Sequence, residues 1–122
     1  MRVRPNEPPR TFAVGGVTIA HAADVELAPD EQVTFTTASG TELDVVRKDW
    51  GYYATSSNRR LREHGLRMAL CANDDGRVAV LLVEAGREEA FQDYLDAQPM
   101  RLLAWLDTDA AAADAARRLE AA

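Results

Sequence analysis

Two apolar segments joined by a tight turn constrain the fold of this chain more than any other feature. The segments are GLRMALCA (65–72) and RVAVLLVE (77–84), and the turn between them is NDDG (73–76). Asn, Asp and Gly tolerate the positive φ that such turns require, so the pattern predicts an antiparallel hairpin. Because the run from Val78 to Val83 is apolar at every position, we expect both of its faces to be covered and place it in the middle of a sheet.

Two earlier regions alternate apolar and polar residues with the period of a β-strand. The alternation runs from Val17 to Leu27 and puts His21 on the apolar face. Further along, EQVTFTT and ELDVVRKD flank ASGT, which predicts a hairpin of residues 31–37 against residues 41–47.

The periodicity then changes to that of a helix. Apolar residues recur at helical spacing from Ala90 to Leu95, two glutamates precede them where a helix N-terminus favours negative charge, and Pro99 prevents continuation. This predicts a helix near residues 87–98. The next segment, MRLLAWL, is typical of a buried strand, so residues 77–106 are predicted to form a right-handed βαβ unit.

The C-terminal segment DTDAAAADAARRLEAA has high helix propensity, and Asp107 or Thr108 is placed to cap a helix there. Leu119 is its only large apolar side chain, so this helix is expected to bury little surface.

These patterns together predict an α+β fold. We expect a mostly antiparallel sheet or a small open barrel of five to seven strands, one packed helix near 87–98 and a C-terminal Ala-rich helix. Three prolines within residues 1–10 remove backbone donors and predict a flexible tail. Residues 11–122 are predicted to form a single α+β domain, since a chain of 122 residues can hold one core.

Composition narrows the classes of partner. The 20 acidic and 14 basic residues give a net charge of -6, which argues against binding to nucleic acid or to an anionic membrane. The N-terminus lacks the apolar run of a signal peptide, and Cys71 is the only cysteine, so no disulfide forms within the chain. These features predict a cytoplasmic protein.

The motifs of common cofactor sites do not occur. NDDG resembles part of a calcium loop, but alignment on Gly76 puts Cys71 at the first ligand position and Leu82 at the position of the bidentate glutamate. The sequence contains no G-x-G-x-x-G, no Walker glycine loop and no G-x-S-x-G. We therefore predict no cofactor.

His21 and Cys71 are expected to be structural, and no metal is predicted. A half-buried core histidine is our interpretation of His21. The alternative is a metal site in which His21 and His64 converge with Glu26, Glu42 or Glu63. Cys71 lies on a predicted interior strand and is interpreted as a small core residue, not a nucleophile.

The segment KDWGYYATSSNRRLREHG (48–65) is the candidate site. Residues 47–67 hold six basic and two acidic side chains, a local charge of +4 in an acidic chain. As strand residues, Trp50 and Tyr52 would share one face and Tyr53 the other. A short helical turn capped by Ser57 or Asn58 and ending at Gly65 would add backbone donors for an anion. The predicted ligand-binding residues are Trp50, Tyr52, Tyr53, Ser57, Asn58, Arg59, Arg60 and Arg62.

Two functions remain open. The first is a binding or accessory module that recognises an anionic ligand through residues 47–67. Its partner would be a phosphorylated or sugar-like small molecule, or an acidic protein, and a homodimer would form through a sheet edge or the C-terminal helix. The alternative is a small isomerase or lyase acting on a sugar-phosphate or nucleotide-sugar derivative. Its candidate acid–base residues are His21, His64, Tyr52 and Tyr53. The arginines would serve neither function if they only pair with the chain's own carboxylates.

Overall fold

The computed structural model describes residues 1–54 and 63–122, and within them the chain forms eight strands and two helices. Strands hold 51% of these residues and helices 21%, so the protein is mostly β. The elements in chain order are β1 (Arg2–Val14), β2 (Val17–Glu26), β3 (Gln32–Thr36), β4 (Glu42–Lys48), β5 (Gly51–Ala54), β6 (Leu66–Ala72), β7 (Val78–Glu84), α1 (Glu88–Ala97), β8 (Arg101–Trp105) and α2 (Asp109–Ala121).

The strands of the described residues form three small antiparallel sheets, with orders β1–β2, β3–β4–β5 and β7–β6–β8. None of these sheets is closed, so the prediction of one sheet or open barrel of five to seven strands is wrong. The physical reason is that alternation and turn residues specify each hairpin locally, whereas the joining of hairpins edge to edge depends on contacts between distant segments.

The N-terminal residues differ from the predicted tail, because Arg2–Val14 pairs with Val17–Glu26 in a long hairpin. Its register matches Val3 with Val25 and Phe12 with Ile19, with a break between Pro5 and Arg10. Both strands of a two-stranded sheet are edges, and an edge tolerates proline because the missing N–H can face solvent. The prolines therefore interrupt the ladder without preventing the strand.

The β7–β6–β8 sheet corrects two expectations. First, β7 is an edge strand, with β6 in the centre, although its sequence predicted a central position. Its outward side chains Val78 and Val80 are 63% and 56% exposed, so the second apolar face of β7 is largely exposed. Second, β7 and β8 both run antiparallel to β6, so they are parallel to each other but not adjacent. The predicted βαβ unit is present as a crossover with β6 inserted between its two strands.

Helix α1 packs on the other face of this sheet and forms the core with it. Ala69, Cys71 and Leu95 are fully buried, and the rings of Phe91 and Trp105 lie 5.8 Å apart beside them. The predicted helix near 87–98 is confirmed, with the two predicted glutamates in its first turn. The prediction that Cys71 is a core residue is also confirmed, and burial raises the pKa of its thiol.

A buried ion pair fixes the segment between β8 and α2. Asp107 is 1% exposed, and its carboxylate accepts a hydrogen bond of 2.5 Å from Nε of Arg67 in β6. The Arg67 guanidinium also lies 3.8 Å from the centre of the Trp105 ring. Thr108 caps α2 through a 3.0 Å bond from the Ala111 amide, which confirms the predicted C-terminal helix and one of its two candidate caps.

Candidate recognition surface on the β4–β5 hairpin

The predicted site segment begins with the hairpin of β4 and β5, and Trp50 lies at its tip. Lys48 pairs with Gly51, so Asp49 and Trp50 form a two-residue turn. The Trp50 side chain is 70% exposed. The structure thus differs from the interpretation of Trp50 as a strand residue that shares a face with Tyr52, because the chain reverses at Trp50 itself.

Tyr52 and Tyr53 follow the turn and point to opposite faces of the sheet. They are 61% and 47% exposed. The Arg47 guanidinium lies 5.5 Å from the centre of the Tyr52 ring, within cation–π range, and donates a 3.4 Å hydrogen bond to the Gly51 carbonyl. We refer to Trp50, Tyr52 and Tyr53 as the aromatic tip.

The basic residues of this region that the structure describes bond mainly within the chain. Nζ of Lys48 lies 2.5 Å from the Asp30 carboxylate, and this hydrogen bond with its charge raises the pKa of the lysine. Arg47 contacts Gly51, and Arg67 is held by Asp107. The local charge of +4 is therefore partly neutralised by carboxylates from outside residues 47–67.

The rest of the predicted ligand set lies outside the described residues. It comprises Ser57, Asn58, Arg59, Arg60 and Arg62. The proposed cap of the short turn falls in the same segment. Gly65, the predicted end of this turn, is among the described residues and has a φ of 81°. A Cβ atom at this position would lie 3.0 Å from Cγ2 of Thr41. Glycine is required at this point because both the backbone conformation and the close approach disfavour a side chain.

The two candidate catalytic histidines have different partners, since His21 lies in β2 and His64 lies in the turn before β6. Nε2 of His21 in β2 is 3.2 Å from the Asp24 carboxylate. Nδ1 of His64 is 3.4 Å from the carboxylate of Glu42 in β4. Over residues 1–54 and 63–122, no three His, Cys, Asp or Glu side chains are placed to hold a metal ion.

Sequence reasoning missed a polar cluster around Glu84 at the end of β7. The hydroxyls of Thr37, Ser39 and Thr41 donate to its Oε1 at 2.7, 2.6 and 2.8 Å. These hydrogen bonds lower the pKa of Glu84 to about 2. The cluster ties the β3–β4 turn to β7. The only available signal was the hydroxyl-rich run TTASGT, whose partner lies more than 40 residues away in sequence.

A groove of about 230 Å³ lies beside this cluster, between the β3–β4 hairpin and the β6–β7 hairpin. Its lining is mostly apolar and includes the side chains of Glu42 and Glu84. The lining residues are Phe35, Thr36, Thr37, Thr41, Glu42, Leu43, Leu66, Leu82 and Glu84.

Comparisons with protein-family models, with curated proteins and with solved structures find no match for this chain. Neither of the two helices in the described part of the chain has the length and apolar character needed to cross a membrane.

Proposed function

We propose that this protein is a binding module that recognises its partner through the aromatic tip. The observation that carries the proposal is the exposure of three large aromatic side chains, Trp50, Tyr52 and Tyr53, on one short hairpin. Aromatic side chains bury a large area on binding and lose few rotamers, so they dominate the energetics of many interfaces. A tip that leaves such rings largely in water is suited to contact another molecule.

The proposed ligand class is anionic: a phosphorylated or sugar-like small molecule, or an acidic protein. The rings suit stacking on a sugar or planar base, and the basic side chains of residues 47–67 suit phosphate or carboxylate. Arg47 and Lys48 already contact their own chain, so selectivity for anions is assigned to Arg59, Arg60 and Arg62 and stays a prediction.

The alternative enzymatic function gains no support from the described residues. His21 and His64 face different carboxylates, and Tyr52 and Tyr53 stand on opposite faces of β5. General acid–base catalysis needs its groups within reach of one substrate. The cytoplasmic location likewise stays a prediction from the sequence.

The proposal is tested by titrating sugar phosphates, nucleotides and a poly-glutamate peptide into the purified protein while recording thermal unfolding. A ligand at a hundred times its dissociation constant adds about 2.7 kcal/mol to stability, a shift of several degrees in a domain of this size. We expect Trp50→Ala to abolish the shift. Tyr94→Ala is the matched control, because Tyr94 is an aromatic residue on α1 that is 50% exposed.

A ligand whose shift survives Trp50→Ala, or is lost equally in Tyr94→Ala, would contradict recognition by the aromatic tip. The Arg59→Ala/Arg60→Ala double variant then tests the ligand class. We expect it to keep the unfolding midpoint of the free protein and to lose affinity for anionic ligands, with the loss falling as salt is raised because screening weakens the contribution of the arginines.

A further inference from the structure

The chain exposes more surface than a compact monomer of its mass. Its accessible area is 8717 Å² for 13.4 kDa. A folded monomer of this mass is expected to expose about 6,500 Å², so the excess is about 2,200 Å². A standard interface buries about 800 Å² on each partner. The excess is large enough for a stable contact with another protein chain.

The β1–β2 hairpin contributes a large apolar part of this surface. Cross-strand pairing puts Phe12 beside Ile19, Val14 beside Val17 and Val3 beside Val25, all on one face. These six side chains are between 38% and 62% exposed. A two-stranded hairpin is marginally stable alone in water, and cover for its apolar face would stabilise it. We call this hairpin the arm.

The groove between the β3–β4 and β6–β7 hairpins offers a second apolar surface. Phe35 and Leu82 line it and are 52% and 37% exposed. The open face of β7 continues the apolar surface through Val80 and Val78. The groove also has an acidic part, which we call its rim, because Glu42 and Glu84 are among its lining residues and hydrogen bonds that lower the pKa of Glu84 hold it in its charged form.

One cation on the apolar face of the arm complements these carboxylates. Arg10 lies on the same face as Phe12 and Ile19, because alternate residues of a strand share a face. Among the described residues, no carboxylate lies within ion-pair distance of Arg10. The arm as a whole is neutral, with three arginines and three carboxylates. By alternation, Asp24 and Glu26 of β2 lie on the opposite face from His21, which pairs with Arg10. The arm therefore offers apolar side chains with a cation to a groove that offers apolar walls with carboxylates.

We propose that the arm of one copy of this chain docks in the groove of a second copy, with its apolar face on Phe35, Leu82 and Val80 and with Arg10 at the carboxylate rim. A second copy is the occupant because one chain carries both complementary surfaces. In a two-fold dimer the contact occurs twice and covers both apolar faces of each chain. This inference is independent of the aromatic tip, which neither surface includes.

The first test is the mass of the full chain by sedimentation equilibrium. We expect a dimer, twice 13.4 kDa. Phe12→Glu should weaken dimerisation by at least about thirtyfold, since a central interface residue contributes 2 kcal/mol or more and each 1.4 kcal/mol is tenfold. Thr11→Glu is the matched control: it adds the same charge to the opposite face of the same strand. A monomer at all concentrations, or equal effects of both variants, would overturn the proposal.

The second test distinguishes docking of the arm in the groove from packing of two arms against each other. Ile19→Cys and Leu82→Cys chains with different affinity tags are co-expressed, and the purified protein is treated with a short bismaleimide cross-linker. The buried Cys71 stays unreactive. We expect cross-links between an Ile19→Cys chain and a Leu82→Cys chain. Cross-links only between two Ile19→Cys chains would show arms packed face to face and would overturn docking in the groove. Circular dichroism of each variant confirms that its fold is retained.

Discussion

Two regions of the molecule share the alternation of apolar and polar residues but differ in how many apolar side chains they bury. One is the layer formed by β6, β7, β8 and α1, and the other is the set of hairpins in residues 1–54. All six buried apolar side chains of the described residues belong to the layer, from Leu66 to Leu95. In residues 1–54 the buried side chain is Asp44, and the apolar ones stay at least partly exposed. The difference is that α1 covers one face of the layer. Alternation specifies a strand, whereas burial requires a second element against it.

The two tryptophans provide the sharpest comparison between these regions. Trp105 packs in the layer against Phe91 and under the Arg67 guanidinium, whereas Trp50 projects from the β4–β5 turn. Stability should therefore depend strongly on the first ring and hardly at all on the second. The substitutions below test this difference, from the largest expected effect to the smallest.

Trp105→Ala should lower the free energy of unfolding by about 3 to 5 kcal/mol, the usual cost of removing a large aromatic side chain from a core. The change leaves a cavity beside Leu95 and removes the surface on which Arg67 lies. Urea denaturation of the variant and of the parent measures the difference. A loss below about 1 kcal/mol would show that the layer is not the stable part of the chain, and the comparison would fail.

Asp107→Asn should cost about 1.5 to 3 kcal/mol, because it removes the negative charge that strengthens the hydrogen bond from Arg67 at a buried position. Asp107 is 1% exposed, and Arg67 is its hydrogen-bond donor. Urea denaturation again provides the measurement. The control is Asp74→Asn, which breaks an ion pair of Arg101 with a fully exposed carboxylate and should change stability by no more than about 0.5 kcal/mol. Equal effects of the two variants would refute the buried role of Asp107.

Local signals predicted the elements of the layer well. The NDDG turn is present, with the Asn73 side chain accepting from the amides of Asp75 and Arg77, and both helices lie where periodicity and capping placed them. The arrangement of the strands was not predictable, because alternation does not specify which edges join. An apolar run such as Val78 to Val83 is expected in a central strand. In the structure this run forms an edge strand, and one of its apolar faces is largely exposed.

The candidate site was only partly accessible to sequence reasoning. The sequence does not predict a turn at Asp49–Trp50, because this pair lacks the Asn-Gly or Asp-Gly signature of two-residue hairpin loops. The role of Arg67 was hidden, since its partner Asp107 is 40 residues away in sequence. The same is true of Glu84 and its three hydroxyl donors. Such pairs form when segments that are distant in sequence come into contact, and composition does not predict them.

The pH dependence of stability tests the contact that Glu84 makes between the two regions. Its pKa falls from an ordinary value of 4.5 to about 2 in the folded chain, chiefly through the hydroxyls of Ser39, Thr37 and Thr41. A carboxyl with a lowered pKa contributes stability that is present above pH 4.5 and is lost as pH falls towards 2. The unfolding temperature should therefore drop more steeply over this range in the parent than in Glu84→Gln. Parallel curves for the two proteins would show that the cluster does not hold the β3–β4 turn to β7.

Trp50→Ala should have the smallest effect, within about 0.5 kcal/mol of the parent, because substitutions at exposed positions rarely change stability more. The ring is 70% exposed, and a turn residue makes no cross-strand pair that its loss would remove. The measurement is urea denaturation beside Trp105→Ala, with fluorescence as the probe, since each variant keeps one tryptophan. The emission of Trp50 in Trp105→Ala should lie at the wavelength of a solvated indole before unfolding begins. A large loss of stability in Trp50→Ala would mean that the ring is covered in solution. The aromatic tip would then be a structural contact, and its proposed role in recognition would fail together with the contrast between the two tryptophans.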